Sequence, residues 1–235
     1  MNTEDFHKLV HVVTDSPLKP PHTLFDKGFD DWHCRARLAH FLAMSEFDKK
    51  EEAIELFKSI VEIEVDEEKV EEVEEKVFAL QRLSSCLHEE KRELDSALHY
   101  INLAIELAES TDFLYKYILR GELWADRWAR MHALQQTSEA EAEIDEKIDL
   151  YQPLPVKHNS YLYYGYRFKA QLAAERGVTL VAKDFMHMAL SFMELPEENQ
   201  ARLEEAFAAD HDNASWILNQ VDLATPAPDK LHWDI

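Results

Sequence analysis

The chain has 235 residues, 46% of them apolar, and 47 acidic against 25 basic side chains give it a formal net charge of −22. So negative a chain is repelled by nucleic-acid phosphates and by anionic lipid, which argues against both as partners. Four glycines, where average composition would supply roughly 7%, are too few for the turns of a sandwich or barrel or for a Gly-rich phosphate loop, so the composition predicts an all-α protein.

Helix punctuation is readable from the N-terminus. Asn2-Thr3 caps a predicted amphipathic helix to about Val13, followed by a loop with Pro17, Pro20 and Pro21. The acidic start, Met1–Asp5, leads into no apolar run, so no signal peptide is expected. Asp30-Asp31 opens a helix through Arg35, Arg37 and Phe41, and the next runs from about Lys49 to Val65. Asp66, with Glu67 and Glu68, is the predicted start of a helix to about Leu87, because carboxylates complement the helix dipole there. Another spans Leu94 to Ser110. Thr111-Asp112 is expected to cap a long helix to Leu134, and Ser138 with Glu141 forms a capping box for one that ends before Pro153 and Pro155. Asn159-Ser160 opens a helix that stops at Gly177, and Thr179 caps one that ends before Pro196. Shorter helices are predicted at about 197–209 and 213–221, before a Pro-containing tail.

Four of these helices share a pattern. Ala53-Ile54-x-x-Phe57-x-x-Ile60 recurs as Ala97-Leu98-x-x-Ile101-x-x-Ala104, as Ala140 with Ile144 and Ile148, and as Ala182 with Met186 and Ala189. The anchoring alanines are 44, 43 and 42 residues apart, a period that belongs to stacked helical hairpins. A small Ala lets two helix backbones approach, and the larger residues one turn on fill the next groove.

The segments 96–107 (SALHYINLAIEL) and 181–192 (VAKDFMHMALSF) resemble the second helix of a tetratricopeptide repeat, and Gly165 and Gly121 would take the place of that family's first-helix glycine. The resemblance covers roughly residues 31–196. It departs from the family in its longer pitch, its missing tryptophan, and a proline retained only as Pro153 or Pro196. HEAT-type repeats, with a pitch of roughly 40–47 residues, are the alternative. The resemblance implies an α-α superhelix of about four helical hairpins within one domain over 1–235. An N-terminal helix and Pro loop (1–30) would precede the hairpins (31–196), and capping helices and a tail (197–235) would follow. It also implies a concave groove, lined by the first helices, that binds a peptide or protein segment.

Charge separates along the same division. The first-helix segments 31–45, 77–92, 113–131 and 157–176 carry +1, +1, +2 and +3, and the second-helix segments 46–76, 93–112, 132–149 and 177–198 carry −9, −5, −5 and −3. A relatively basic groove in an acidic shell would focus an anionic ligand. Lys116, Arg120, Leu123, Arg127 and Arg130 repeat at intervals of 4, 3, 4 and 3 and so share a helix face. Their guanidinium forks suit a carboxylate. Leu114, Tyr117, Gly121, Trp124, Trp128 and Met131 make the opposite, packed face. Between 157 and 176, Tyr163, Tyr166 and Arg167 add an aromatic and basic surface; the four tyrosines from 161 to 166 circle the helix, so some belong to an interface. With Arg82, these are the candidate ligand-binding residues. The expected partner is a peptide or protein segment that is acidic or carboxylate-terminated.

Catalytic chemistry is hard to place. His7 and His11 lie four apart, but Lys8 stands where a metalloprotease needs glutamate, and no third ligand follows. His211-Asp212 lacks the remaining residues of a phosphohydrolase site, and no complete metal or cofactor set is visible. Cys34 and Cys86 have no framework spacing and read as reduced thiols. No stretch approaches the roughly 18 apolar residues that span a bilayer. The expected protein is a cytoplasmic, non-catalytic adaptor without cofactor. The other class is a small helical enzyme or sensor using the Tyr- and Arg-rich face of 157–176.

Overall fold

The structure, a computed structural model, describes residues 1–90, 93–113, 115, 118–154 and 159–192. Among these it holds nine α-helices and no strand: α1 Thr3–Thr14, α2 Trp32–Leu42, α3 Lys50–Lys58, α4 Val70–Glu89, α5 Leu94–Glu109, α6 Arg120–Ala133, α7 Thr137–Tyr151, α8 Asn159–Glu175 and α9 Thr179–Leu190. A 3-10 turn, His22–Phe25, lies between α1 and α2. The helices expected at 197–209 and 213–221 fall outside the described residues. The chain divides into two compact units, one within Met1–Ile118 and one within Leu119–His232.

Among the described residues, each unit contains two hairpins. In the first unit α2 pairs with α3 and α4 with α5, while α4 also packs on α2 and α3. In the second, α6 pairs with α7 and α8 with α9, while α8 also packs on α6 and α7. The repeat is therefore visible in packing. Ala53, Ala97, Ala140 and Ala182 are each the fourth residue of a second helix, and each is 0% exposed. Phe57, Ile101, Ile144 and Met186, one turn on, are buried with them. The first unit's core extends from Phe6, Val10 and Val13 of α1 through Leu38 and Leu42 to Leu83 and Ala97. Each of the larger side chains among these contributes roughly 1.5–3 kcal/mol by leaving water.

Local chemistry explains two helix starts directly. Asn2 accepts from the Asp5 amide at 2.9 Å, and Asp31 accepts from the Cys34 amide at 2.9 Å, so both act as N-caps. The helix predicted from Lys49 to Val65 stops early, at Lys58. The buried Lys76 ammonium donates to the carbonyls of Ile60, Val61 (2.7 Å) and Ile63 (3.0 Å), which gives this stretch a partner outside the helical ladder. Asp66 does not open α4. Its carboxylate accepts from the Glu68 amide (3.1 Å) and its carbonyl from the Lys69 amide (2.9 Å), forming a turn before Val70. Thr111 likewise does not cap a long helix to Leu134. Its hydroxyl bonds to the Ala108 carbonyl at the end of α5, and α6 begins only at Arg120.

The capping box at Ser138 is replaced by a different device. Gln135 takes a left-handed φ of 64°, the Gln136 amide donates to Met131 O (2.9 Å), and the Gln135 amide donates to His132 O (3.0 Å). Ser138 then falls inside the first turn of α7, and Glu141 pairs with Arg176 instead. The α8–α9 turn repeats this geometry. Gly177 has φ 74°, Val178 donates to Ala173 O (2.9 Å), and Gly177 donates to Ala174 O (2.9 Å). Gln135 bears left-handed strain of about 1–2 kcal/mol that glycine escapes. Gln135→Gly should therefore stabilise by roughly 0.5 kcal/mol, after about 1 kcal/mol of added chain entropy is deducted. Gly177→Ala should cost roughly 0.5 kcal/mol by the same balance, from the backbone alone, because an added Cβ there meets nothing within 4 Å. Urea denaturation of both variants checks the opposite signs; two shifts of like sign would show that the turns are not equivalent.

Candidate ligand-binding face

In the second unit, the basic face of α6 is largely engaged in internal pairs. Arg127 donates from Nε to Glu143 Oε2 (2.9 Å) and from Nη2 to Oε1 (2.7 Å), so its fork already holds a carboxylate of α7. Arg130 is 3% exposed and donates to the Asp126 carbonyl (3.0 Å) and carboxylate (2.7 Å). Leu123, placed with this face by its spacing, is 1% exposed, which identifies it as core. Arg120 is half-buried at the start of the helix, and Lys116, Leu114 and Tyr117 lie outside the described residues. Of the packed face, Gly121, Trp128 and Met131 are buried and Trp124 is half-buried.

The tyrosines of α8 point into the same unit. Tyr161, Tyr163, Tyr164 and Tyr166 are all buried. Burial pushes the Tyr163 hydroxyl up to about 12 and raises Tyr164 as well. Tyr166 lies parallel to the Phe192 ring at 5.9 Å and near Phe185 at 6.3 Å. Arg167 is half-buried, its guanidinium 5.9 Å from the Tyr164 ring. Tyr161 stacks on Tyr151 at 4.1 Å. With Trp124, these two rings surround the Lys147 ammonium, which sits 3.8 Å from the Trp124 centroid. Cation–π attraction thus ties α6, α7 and α8 together.

The first unit presents a different face along α2 and α4. His33, Arg37 and His40 repeat at 4 and 3 on α2; Glu71, Glu75, Phe78 and Arg82 repeat at 4, 3 and 4 on α4. The two stripes meet in register. Glu75 takes His33 Nδ1 on one carboxylate oxygen, and Arg37 Nε lies 3.3 Å from the other. His40 sits 5.0 Å from the Phe78 ring. Contacts advance along both helices together, so α2 and α4 run in the same direction, as first helices of successive hairpins must.

This face has buried polar atoms without partners. Arg82 Nε and His40 Nδ1 are both sequestered from solvent and neither meets a hydrogen-bonding group among the described residues. A buried unpaired donor forfeits about 1–3 kcal/mol, so such groups call for an explanation. Burial pushes His40 down to about 4, and the Arg82 charge acts in the same direction, so the imidazole is neutral at pH 7. Beside it Arg82 offers a guanidinium with one unmatched N–H.

Among the sequence candidates, Arg82 is one whose buried Nε meets no acceptor among the described residues. Its companions Arg37, His40 and Glu75 were legible only as an intra-helix stripe on α2 or α4, since the spacing does not say which two stripes adjoin. Among the described residues, no group of three or more His, Cys, Asp and Glu side chains is placed to hold a metal ion. His7 and His11 are both exposed. Cys34 and Cys86 are buried and unbonded to each other. No helix among the described residues is long and apolar enough to cross a membrane. No protein-family model, no curated protein and no solved structure matches the chain.

Proposed function

We propose that the protein is a non-catalytic, tetratricopeptide-like module that holds a carboxylate-bearing peptide or protein segment along the first helices of its hairpins. The observation that carries this reading is Arg82 at the α2–α4 seam, a half-buried arginine whose Nε meets no acceptor among the described residues. Arg82 is half-buried, and a guanidinium in a partly desolvated setting binds a carboxylate more strongly than an exposed lysine would. Two parallel first helices also match the way hairpin repeats present a ligand surface. The buried free cysteines suit a reducing compartment such as the cytoplasm.

Selection of dodecapeptides from a random phage-displayed library tests this. A recurring carboxylate-containing motif is expected, with at least tenfold weaker binding to Arg82→Ala. Arg127→Ala is the control: it should lower the melting temperature through loss of the Glu143 pair and leave peptide affinity unchanged. Peptides that bind Arg82→Ala as well as wild type would remove the seam as the ligand site.

A further inference from the structure

We infer that Thr137 is an acyl-acceptor hydroxyl, activated by His132 and Glu175, that takes an acyl group from an activated ester or thioester. Thr137 belongs to the second unit and the peptide-binding seam to the first, so neither reading depends on the other. Side chains from α6, α7 and α8 form a relay. Thr137 opens α7, and its Oγ1 lies 2.8 Å from Nδ1 of His132 in the last turn of α6. His132 Nε2 lies 3.2 Å from Oε2 of Glu175, at the end of α8, and the other oxygen of Glu175 accepts from Gln171 Nε2 at 3.0 Å. The Phe168 ring stands edge-on to the imidazole at 6.4 Å. Hydroxyl, imidazole and carboxylate in hydrogen-bonding sequence are the arrangement that activates a nucleophile. With the ring proton on Nε2 and donated to Glu175, Nδ1 accepts from the hydroxyl.

The molecule contains its own comparison. The α8–α9 turn repeats the α6–α7 turn, so that Ala174, Gly177 and Thr179 match His132, Gln135 and Thr137. There the threonine recurs and an alanine stands in place of the imidazole. The turn therefore forms without a histidine, and its geometry does not demand the His132–Thr137 contact. The imidazole is 36% exposed and Thr137 is half-buried, so a small acyl donor reaches both. As the first residue of α7, Thr137 also has an amide with no acceptor inside the helix, at the positive end of the helix dipole, which suits the charge that develops on an attacked carbonyl oxygen. The transfer balances. A bond forms from Thr137 Oγ1 to the acyl carbon as the hydroxyl proton passes to His132 Nδ1. The bond from the acyl carbon to the donor's oxygen or sulfur breaks, and the proton leaves with the departing group or to water. Glu175 orients the imidazole and stabilises the imidazolium formed between these events, which makes it a positioning residue.

The test treats the full chain with p-nitrophenyl acetate and reads acetylation of its peptides by mass spectrometry over time. Thr137 should be the hydroxyl that acetylates fastest, with Thr179 in the matching turn as the internal reference. His132→Gln keeps a polar partner for the hydroxyl but cannot take its proton, and should slow acetylation of Thr137 roughly a hundredfold. Glu175→Gln should slow it about tenfold or more, with the melting temperature and lysine acetylation elsewhere in the chain little changed. Thr137→Ser presents a less hindered hydroxyl and should acetylate faster than wild type, a gain that loss of the fold would not give. If Thr137 acetylates no faster than Thr179, or at the same rate in His132→Gln, the relay is a structural contact between helices and the acyl acceptor is wrong.

Discussion

Gly121→Ala should destabilise the protein by about 3 kcal/mol or more, with the loss confined to packing. Alanine is the better helix former by about 1 kcal/mol, so local propensity favours the change. Tertiary contact opposes it. A Cβ on Gly121 would stand 2.2 Å from the Ser160 carbonyl oxygen, 2.3 Å from its carbon and 2.6 Å from the Tyr161 nitrogen. These are backbone atoms of α8, and no side-chain rotation relieves the overlap. The two helices would have to separate, loosening Trp128 from Phe168, whose rings lie 6.2 Å apart. Gly165→Ala is the matched control. There the added Cβ would lie 3.4 Å and 3.6 Å from side-chain atoms of Ile148 and Ile144, within reach of small adjustment. It should change stability by no more than about 1 kcal/mol. Denaturation in urea reads both, and a neutral Gly121→Ala would show that α6 and α8 do not approach this closely.

Between pH 7 and pH 4.5, His40 should remove about 2–3 kcal/mol of stability. The sign follows from where the proton binds. In the folded chain burial and Arg82 hold the imidazole neutral down to about pH 4, while in the unfolded chain it takes a proton from about 6.5. The unfolded state therefore binds more protons within that window, and acidification favours unfolding. Carboxylates act lower on the scale. Glu141, held below its ordinary 4.5 by Arg176, loses its contribution only as pH falls past that value. His40→Leu keeps an apolar side chain against Phe78 and cannot titrate. Thermal or urea stability followed across the range should fall less steeply in this variant, by the stated amount. Parallel curves for the two proteins would mean that His40 is not the buried imidazole that this seam requires.

The alanine period shows how far the sequence could be read. Ala53, Ala97, Ala140 and Ala182 named the four second helices, and each proved to be the fourth residue of its helix and fully buried. The N-caps at Asn2 and Asp31 were equally legible, because a cap is a bond between residues three apart. Boundaries decided by distant partners were not. Lys76 ends α3 by reaching back to carbonyls 13 to 16 residues away. The α6–α7 turn is set by a left-handed glutamine that no turn rule favours.

The same distinction governs the candidate site. Periodicity put Arg120, Arg127 and Arg130 on one helix face, and Arg82 among the first-helix arginines, because spacing along one helix is a local property. Whether each cation is free or paired depends on which neighbouring helix faces it. Glu143 from α7 occupies the Arg127 fork, and α2 brings His40 beside Arg82 without a partner for either unmatched atom. Helix content, the caps at Asn2 and Asp31 and the repeat period follow from contacts within a few residues, and the sequence alone determined them. Pairing between helices is fixed by the close approach of side chains 15 to 45 positions apart, and only the tertiary structure could show which charges remained for a ligand.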